Sequence, residues 1–246
     1  MRLLLTLSFL GTHYAGWQVQ ANAPTVQATV QDALQKCLGV RPSLTGCSRT
    51  DSGVHAVRYC CHIDAELPPS MPPEKLPYAL NRALPGNIAC HAARVVPDDF
   101  HARYGAAGKT YRYTLLNTPH RHPFFTATAW HVPYVLDVAA MQTAAQQFVG
   151  HHDFASCQSA GSSVQDTWRT VSACSVSRAD ECVTVEITAD GFLYNMVRII
   201  TGTLVEVGTG RRAADSIAAM LAGAERRLAG ATAPPHGLCL WEVLYC

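Results

Sequence analysis

Residues 46–56 read GCSRTDSGVHA, a polar turn set between two apolar runs, 43–47 and 57–63, that read as strands. Ser48, Thr50 and Ser52 carry hydroxyls able to bond local backbone, and Gly53 tolerates an unusual φ, so the turn can aim the Asp51 carboxylate in one direction. The same composition also suits an Asx-turn without chemistry, and the local pattern does not choose between them. Upstream, RLLLTLSFL (2–10) reads as a buried strand ended by Gly11. Thr25 is placed to cap a helix over 26–38, where Val26, Val30, Ala33, Leu34, Cys37 and Leu38 share a face. Downstream come a helix over 74–84, interrupted or started at Pro77, and, after Pro85-Gly86, a strand over 88–96. The order β-α-β-β-α-β is the split βαβ of ferredoxin-like folds.

The second half repeats the mixture. KTYRYTLLN (109–117) alternates as a strand does, and DVAAMQTAAQQFVG (137–150) reads as a helix from Asp137 to Gly150. Residues 171–178 and 182–189 form a predicted hairpin, FLYNMVRIITGTLVEVG (192–208) a buried helix, and 239–245 a closing strand. The expected architecture is α+β, with two ferredoxin-like halves of antiparallel or mixed sheet, 1–105 and 106–246, and an active-site cleft between them. His120–Phe125 is the expected crossover.

Composition narrows the class. The 246 residues are 48% hydrophobic and 15% charged, the balance of a packed globule and not of a disordered chain. The net charge of +1 excludes a polybasic tail as the source of nucleic-acid affinity. The charge is uneven, however: 12 Lys/Arg against 7 Asp/Glu over 1–123, and 7 against 11 over 124–246. Sixteen of the 19 basic residues are Arg, whose planar fork suits phosphate, although an Arg-rich codon bias gives the same count. Ten cysteines occur without a single C-x-x-C, and Cys60-Cys61 would point to opposite faces of a strand. Reduced, buried cysteines in a cytoplasmic protein are expected, with no secretory leader and no membrane span.

Beyond the turn, SRTDSGVHA resembles the G-R-T-D-A-G-V-H-A signature of the tRNA pseudouridine synthase A family. GTHYAGWQ (11–18), VPDDFHAR (96–103), KTYRYTLLN (109–117), GHHDFAS (150–156), TWRTV (167–171), MVRIITGTLVEVG (196–208) and ATAPPHGLCLWEV (231–243) resemble its other blocks in family order. Four positions depart from the pattern: Leu10 for Asp, Ser48 for Gly, Ser52 for Ala and Cys157 for Phe.

The resemblance implies isomerisation of uridine to pseudouridine at positions 38, 39 and 40 of the tRNA anticodon stem-loop. It also implies no metal, nucleotide or organic cofactor, and a homodimer that pools basic surface. Asp51 matches the catalytic aspartate, Arg198 the basic residue paired with it, and Tyr111 the active-site tyrosine. A closed pocket would raise the carboxyl pKa, and a nearby cation would oppose the rise. Alternation alone does not separate Tyr111 from Tyr113, which share a strand face, and a lone Arg198 on an apolar helix could equally snorkel to the surface. Arg49 matches the arginine that helps extrude the target nucleotide, with a phosphate contact as the alternative. Arg58, Arg103, Lys109 and Arg112 are candidate RNA contacts. His55 and His101 are read as turn scaffolding.

Three other readings compete. Asp51-Ser52-Gly53 matches the D-[ST]-G of aspartic proteases, but those need two such carboxylates. Gly208-x-Gly210-x-x-Ala213 is a loose dinucleotide fingerprint that follows a helix and not a strand. His151-His152-Asp153 lacks further ligands at metal-site spacing. The remaining alternative is a non-catalytic RNA-binding module on the same fold.

Overall fold

The computed structural model describes residues 1–162 and 164–246. Ten strands and five α-helices are formed by the described residues. They fall into two compact units, Met1–Ala107 with Cys239–Cys246, and Gly108–Leu238. His120–Phe125 lies inside the second unit.

The first unit is built from β1 (Arg2–Phe9), α1 (Val26–Leu38), β2 (Leu44–Gly46), β3 (His55–Asp64), α2 (Leu76–Ala83) and β4 (Ile88–Val96). β1 lies antiparallel between β3 and β4, and the short β2 pairs antiparallel with the far end of β3. That is the strand arrangement of the split βαβ motif. The last strand of the chain, β10 (Leu238–Tyr245), runs parallel to β3 where β2 leaves it, pairing Cys239 with His55 and Leu240 with Ala56. Helix α1 has the bounds the sequence predicts. The Thr25 hydroxyl accepts from the Ala28 amide at 3.3 Å, and Gly39 closes the helix in the left-handed region at φ 75°. The predicted second helix divides into a 3₁₀ turn at Pro73–Lys75 followed by α2.

The second unit opens with β5 (Ala106–Leu116, from Gly108 on), which pairs antiparallel with β9 (Cys182–Ala189) and in parallel with the two-residue β6 (Trp130–His131). β9 pairs with β8 (Trp168–Ala179), and β8 with β7 (Gly150–Asp153). The predicted hairpin turns tightly at Asp180-Glu181, with Asp180 at φ 51°. Helix α3 (Val138–Gln146) is capped by Asp137, whose Oδ1 accepts from the Ala140 amide at 2.9 Å. It stops well before Gly150. At φ 126° that glycine starts β7 and does not close the helix.

Helix α4 (Met196–Gly208) is shorter at its start than the apolar run from 192 suggests, because Asn195 stands at φ 62°. It is apolar almost all round and nearly wholly buried. Its Thr201 and Thr203 hydroxyls donate back to the Val197 and Ile199 carbonyls at 2.8 Å, which satisfies them inside the core. A further helix, α5 (Ser216–Gly223), was not evident in the sequence. Six of the ten cysteines are buried. Burial pushes the Cys90, Cys157 and Cys174 thiols up to about 12, so they pack as small apolar groups. Among the described residues no helix is long and apolar enough to cross a membrane.

Candidate active site

The turn that carries Asp51 is held from below and from one side. Below it, Trp17 stacks on Tyr59 with ring centroids 4.1 Å apart, and Phe9 packs against Tyr59 at 5.4 Å. The Tyr59 hydroxyl donates to the Ser48 carbonyl. From the side comes the loop that follows β1. The Trp17 amide donates to the Thr50 carbonyl at 3.1 Å, and the Gly53 amide to the Tyr14 carbonyl at 3.3 Å. Two glycines make this approach possible. A Cβ on Gly16, which sits at φ 97°, would lie 2.4 Å from the Thr50 oxygen, and one on Gly11 would lie 2.0 Å from the Val54 oxygen. Ser52, one of the departures, donates to the Tyr14 carbonyl at 3.2 Å and adds a further tie. Asp51 is half-buried on this brace, and Arg49 is exposed. The loop blocks GTHYAGWQ and SRTDSGVHA are thus two sides of one backbone contact.

Three histidines secure the surroundings as acceptors. His55 Nδ1 takes the Gly11 amide at 2.9 Å, and His62 Nδ1 takes the Ala102 amide at 3.1 Å. His101 Nδ1 takes the Arg103 and Tyr104 amides, both at 3.1 Å. Burial, with the charges of Arg2 and His101, holds His62 below its ordinary value. His62 carries the loop that presents Arg103 and was missed in the sequence, since nothing in CCHID marks one histidine of a strand as a loop anchor.

In the second unit, Tyr111 and Tyr113 do share a face of β5, but their surroundings differ. Tyr113 is fully buried, its hydroxyl donates to the Pro234 carbonyl at 2.7 Å, and Gly237 packs against its ring. Burial pushes its phenol far above the usual range, with Arg198 opposing. Tyr111 meets Phe192 edge-to-face at 4.9 Å. Arg198 does not snorkel. Its Nε donates to the Ala233 carbonyl at 2.7 Å and its Nη1 to Asn195 Oδ1 at 2.6 Å. Asn195 in turn donates to Ser159 at 2.9 Å. The 231–235 segment fits α4 closely because Gly202 lacks a Cβ, which would stand 1.8 Å from the Ala231 oxygen.

The other basic residues vary. Arg58 pairs with Glu242 at 2.9 Å, and Arg112 pairs with Glu186, its cross-strand partner in register. Lys109 is buried and Arg103 exposed. The competing motifs find local roles. His151 bonds Thr170 at 3.0 Å, and His152 bonds the Val149 carbonyl at 3.0 Å. Asp153 accepts from Ala155 and Thr167. Gly208 lies at the end of α4 against Met141. Among the described residues no group of three His, Cys, Asp or Glu side chains is placed to hold a metal ion.

One carboxylate braced on a turn in the first unit, and a tyrosine and a clamped arginine fixed on β5 and α4 in the second, are the side chains a family comparison must account for. A family model described as tRNA pseudouridine synthase matches residues 6–105 and 144–246, stretches that include Asp51 and Arg198, and the chain belongs to this family. At closer range it is similar to proteins named tRNA pseudouridine synthase A. The protein of Ruminiclostridium cellulolyticum is 44% identical over 99% of both chains. That of Shouchella clausii is 46% identical over 99% of this chain and 93% of its own. That of Syntrophotalea carbinolica is 46% identical over 98% and 95%.

Proposed function

We propose that the chain is a tRNA pseudouridine synthase acting on uridines 38, 39 and 40 of the anticodon stem-loop, with Asp51 as its catalytic carboxylate. The observation that carries this reading is the Asp51 turn, braced by the Trp17, Gly53 and Ser52 bonds to a single aim. The reaction is an isomerisation. The N1–C1′ bond breaks, the uracil turns, C5 bonds to C1′, and the C5 proton is lost to a base while N1 gains one. No electrons are exchanged with a second molecule, so the chemistry asks for no redox partner.

In this reading Asp51 attacks C1′ or takes a ribose proton. Arg198 supplies the positive charge that keeps the carboxylate ionised, its guanidinium aimed by Ala233 and Asn195. Tyr111 stacks on the displaced base, with its hydroxyl near C5. Arg49 fills the space the extruded nucleotide leaves, offsetting a few kcal/mol of unstacking. Arg103, Lys109, Arg58 and Arg112 grip the RNA backbone, the last two through charges already shared with Glu242 and Glu186. A homodimer would double the net charge of +1 into a broader basic surface; sedimentation at micromolar concentration reads that directly.

The test is pseudouridine mapping on an unmodified tRNA transcript with uridines at 38–40, with no added cofactor, using wild type and Asp51→Asn side by side. Wild type is expected to form pseudouridine there, and Asp51→Asn to form none while keeping its fold and most of its tRNA affinity. Turnover by Asp51→Asn would remove Asp51 from the chemistry. Inactive wild type that still binds tRNA would remove the enzymatic reading.

A further inference from the structure

The loop Pro97–Gly105 is held more firmly than its surface position requires. Arg2 Nη1 donates to the Phe100 carbonyl at 2.9 Å, the Tyr245 hydroxyl donates to the Ala102 carbonyl at 2.7 Å, and His62 takes the Ala102 amide. The Gly105 amide closes the turn on the His101 carbonyl at 2.8 Å. Phe100 adds a ring contact with Tyr245 at 5.1 Å. What this loop presents is Tyr104, a ring 78% exposed. Below it lies His101, 4.4 Å away and tilted by 31°, and the Arg103 guanidinium sits 5.6 Å from the ring centroid. A rigid support that leaves a large ring in solvent does nothing for the core.

Tyr104, His101 and Arg103 form one wall of a cleft of about 230 Å³, and Ser48 and Arg49 belong to its lining. No acidic side chain lines it, while two arginines and two glutamines do. The volume falls below the roughly 300–1,000 Å³ of a site for a whole drug-sized ligand, and suits one planar group. A planar group between an exposed aromatic and guanidinium forks is the recognition pattern of an unstacked nucleobase. Arg49 lines this cleft and stands two residues before Asp51.

We propose that the Tyr104 ring, backed by His101 and flanked by Arg103 and Arg49, stacks an unpaired nucleobase of the RNA substrate next to the uridine being modified. The site rests on the proposed tRNA activity but does not touch the reacting atoms. Its role is to hold the strand on one side of the target in place while that uridine leaves the stem.

The experiment uses tRNA transcripts carrying 2-aminopurine at each unpaired position flanking 38–40, one at a time. Binding to wild type is expected to quench one of these positions, Tyr104→Phe to keep the quench and Tyr104→Ala to abolish it. KM should rise about tenfold in Tyr104→Ala, with the smaller part of the effect on kcat, since the loss of one base stack of about 1–3 kcal/mol corresponds to roughly 5- to 150-fold in affinity. A 4-thiouridine at the quenched position should photocrosslink to the wild-type peptide containing Tyr104, a readout that needs no variant to fold. Unchanged KM and quench in Tyr104→Ala, or a crosslink mapping elsewhere, overturns the site. So does a Tyr104→Ala protein whose only change is its oligomeric mass, because the ring then serves a protein contact. If wild type makes no pseudouridine yet shows the Tyr104-dependent quench, the proposed reaction fails and the stacking site stands.

Discussion

Gly16 and Thr50 meet backbone to backbone. A Cβ on Gly16 would stand 2.4 Å from the Thr50 carbonyl oxygen, the same oxygen that accepts the Trp17 amide at 3.1 Å. Because Thr50 precedes Asp51, whatever moves this contact moves the carboxylate. Gly16→Ala suffers both the clash and the strain of φ 97°, and strain of this kind is worth about 1–3 kcal/mol. Its melting temperature should fall, and its turnover should fall further than that loss of folded protein explains. Gly39→Ala is the control. It is also left-handed, at φ 75°, with nothing within 4 Å of the added Cβ, and should lose about 1–2 kcal/mol of stability with full turnover per folded molecule. Equal loss of turnover in both variants would sever the Gly16 contact from catalysis.

Asn195 predicts a second separation. It takes a left-handed φ of 62° and also holds Arg198 Nη1 at 2.6 Å. Asn195→Gly keeps the backbone at ease and removes the anchor, while Asn195→Ala removes the anchor and adds about 1 kcal/mol of strain. Both should lose turnover on the order of 10–100-fold, the scale of a misplaced functional group, and chemical denaturation should rank only the Ala variant as further destabilised by strain. Turnover that tracks stability in both would leave Asn195 a cap and nothing more.

How far the sequence reached is visible in these same residues. The β-α-β-β-α-β order and the Thr25 cap were legible because strong periodicity and a capping residue coincide there. The start of α4 was not legible. Phe192–Tyr194 continue the apolar run into the helix, and although asparagine tolerates the left-handed region, one Asn inside an apolar run does not by itself mark a helix start. Helix α5 escaped because Asp215 makes no side-chain cap bond and eight small or apolar residues show weak periodicity. The Asp51 turn was readable as a motif, but its brace depends on backbone contacts between residues some 35 positions apart, which no local pattern encodes. Tyr104 follows directly on the VPDDFHAR block, yet only the bonds made by Arg2, His62 and Tyr245 distinguish it from any surface tyrosine.

Acid sensitivity should centre on His62. Its folded pKa lies below the ordinary 6.5, through burial first and the Arg2 and His101 charges next. The unfolded chain therefore takes up the proton first as pH falls. The stability contributed by neutral His62 is complete above pH 6.5 and is lost as pH drops through the lowered folded value. His62→Gln offers an acceptor to the Ala102 amide without titrating. Urea midpoints followed from about pH 7.5 down to about pH 4.5 should fall less steeply for His62→Gln than for wild type. Parallel curves would assign the acid loss to other groups.

The two tyrosines of β5 give the sharpest contrast. Tyr113 donates to the Pro234 carbonyl at 2.7 Å from a fully buried position, and its phenol is held far above the range in which it could exchange protons near neutrality. Tyr113→Phe leaves that carbonyl without its donor and should lose about 1–3 kcal/mol of stability, with turnover per folded molecule close to wild type. Tyr111→Phe keeps the ring against Phe192 and should keep most of the stability, yet lose turnover on the order of 10²-fold or more if its hydroxyl assists proton removal. Single-turnover rates on a tRNA transcript, set beside urea unfolding of the same preparations, read both quantities. A Tyr113→Phe enzyme slower than Tyr111→Phe would reverse the assignment and make the Pro234-bound hydroxyl the one that meets the substrate.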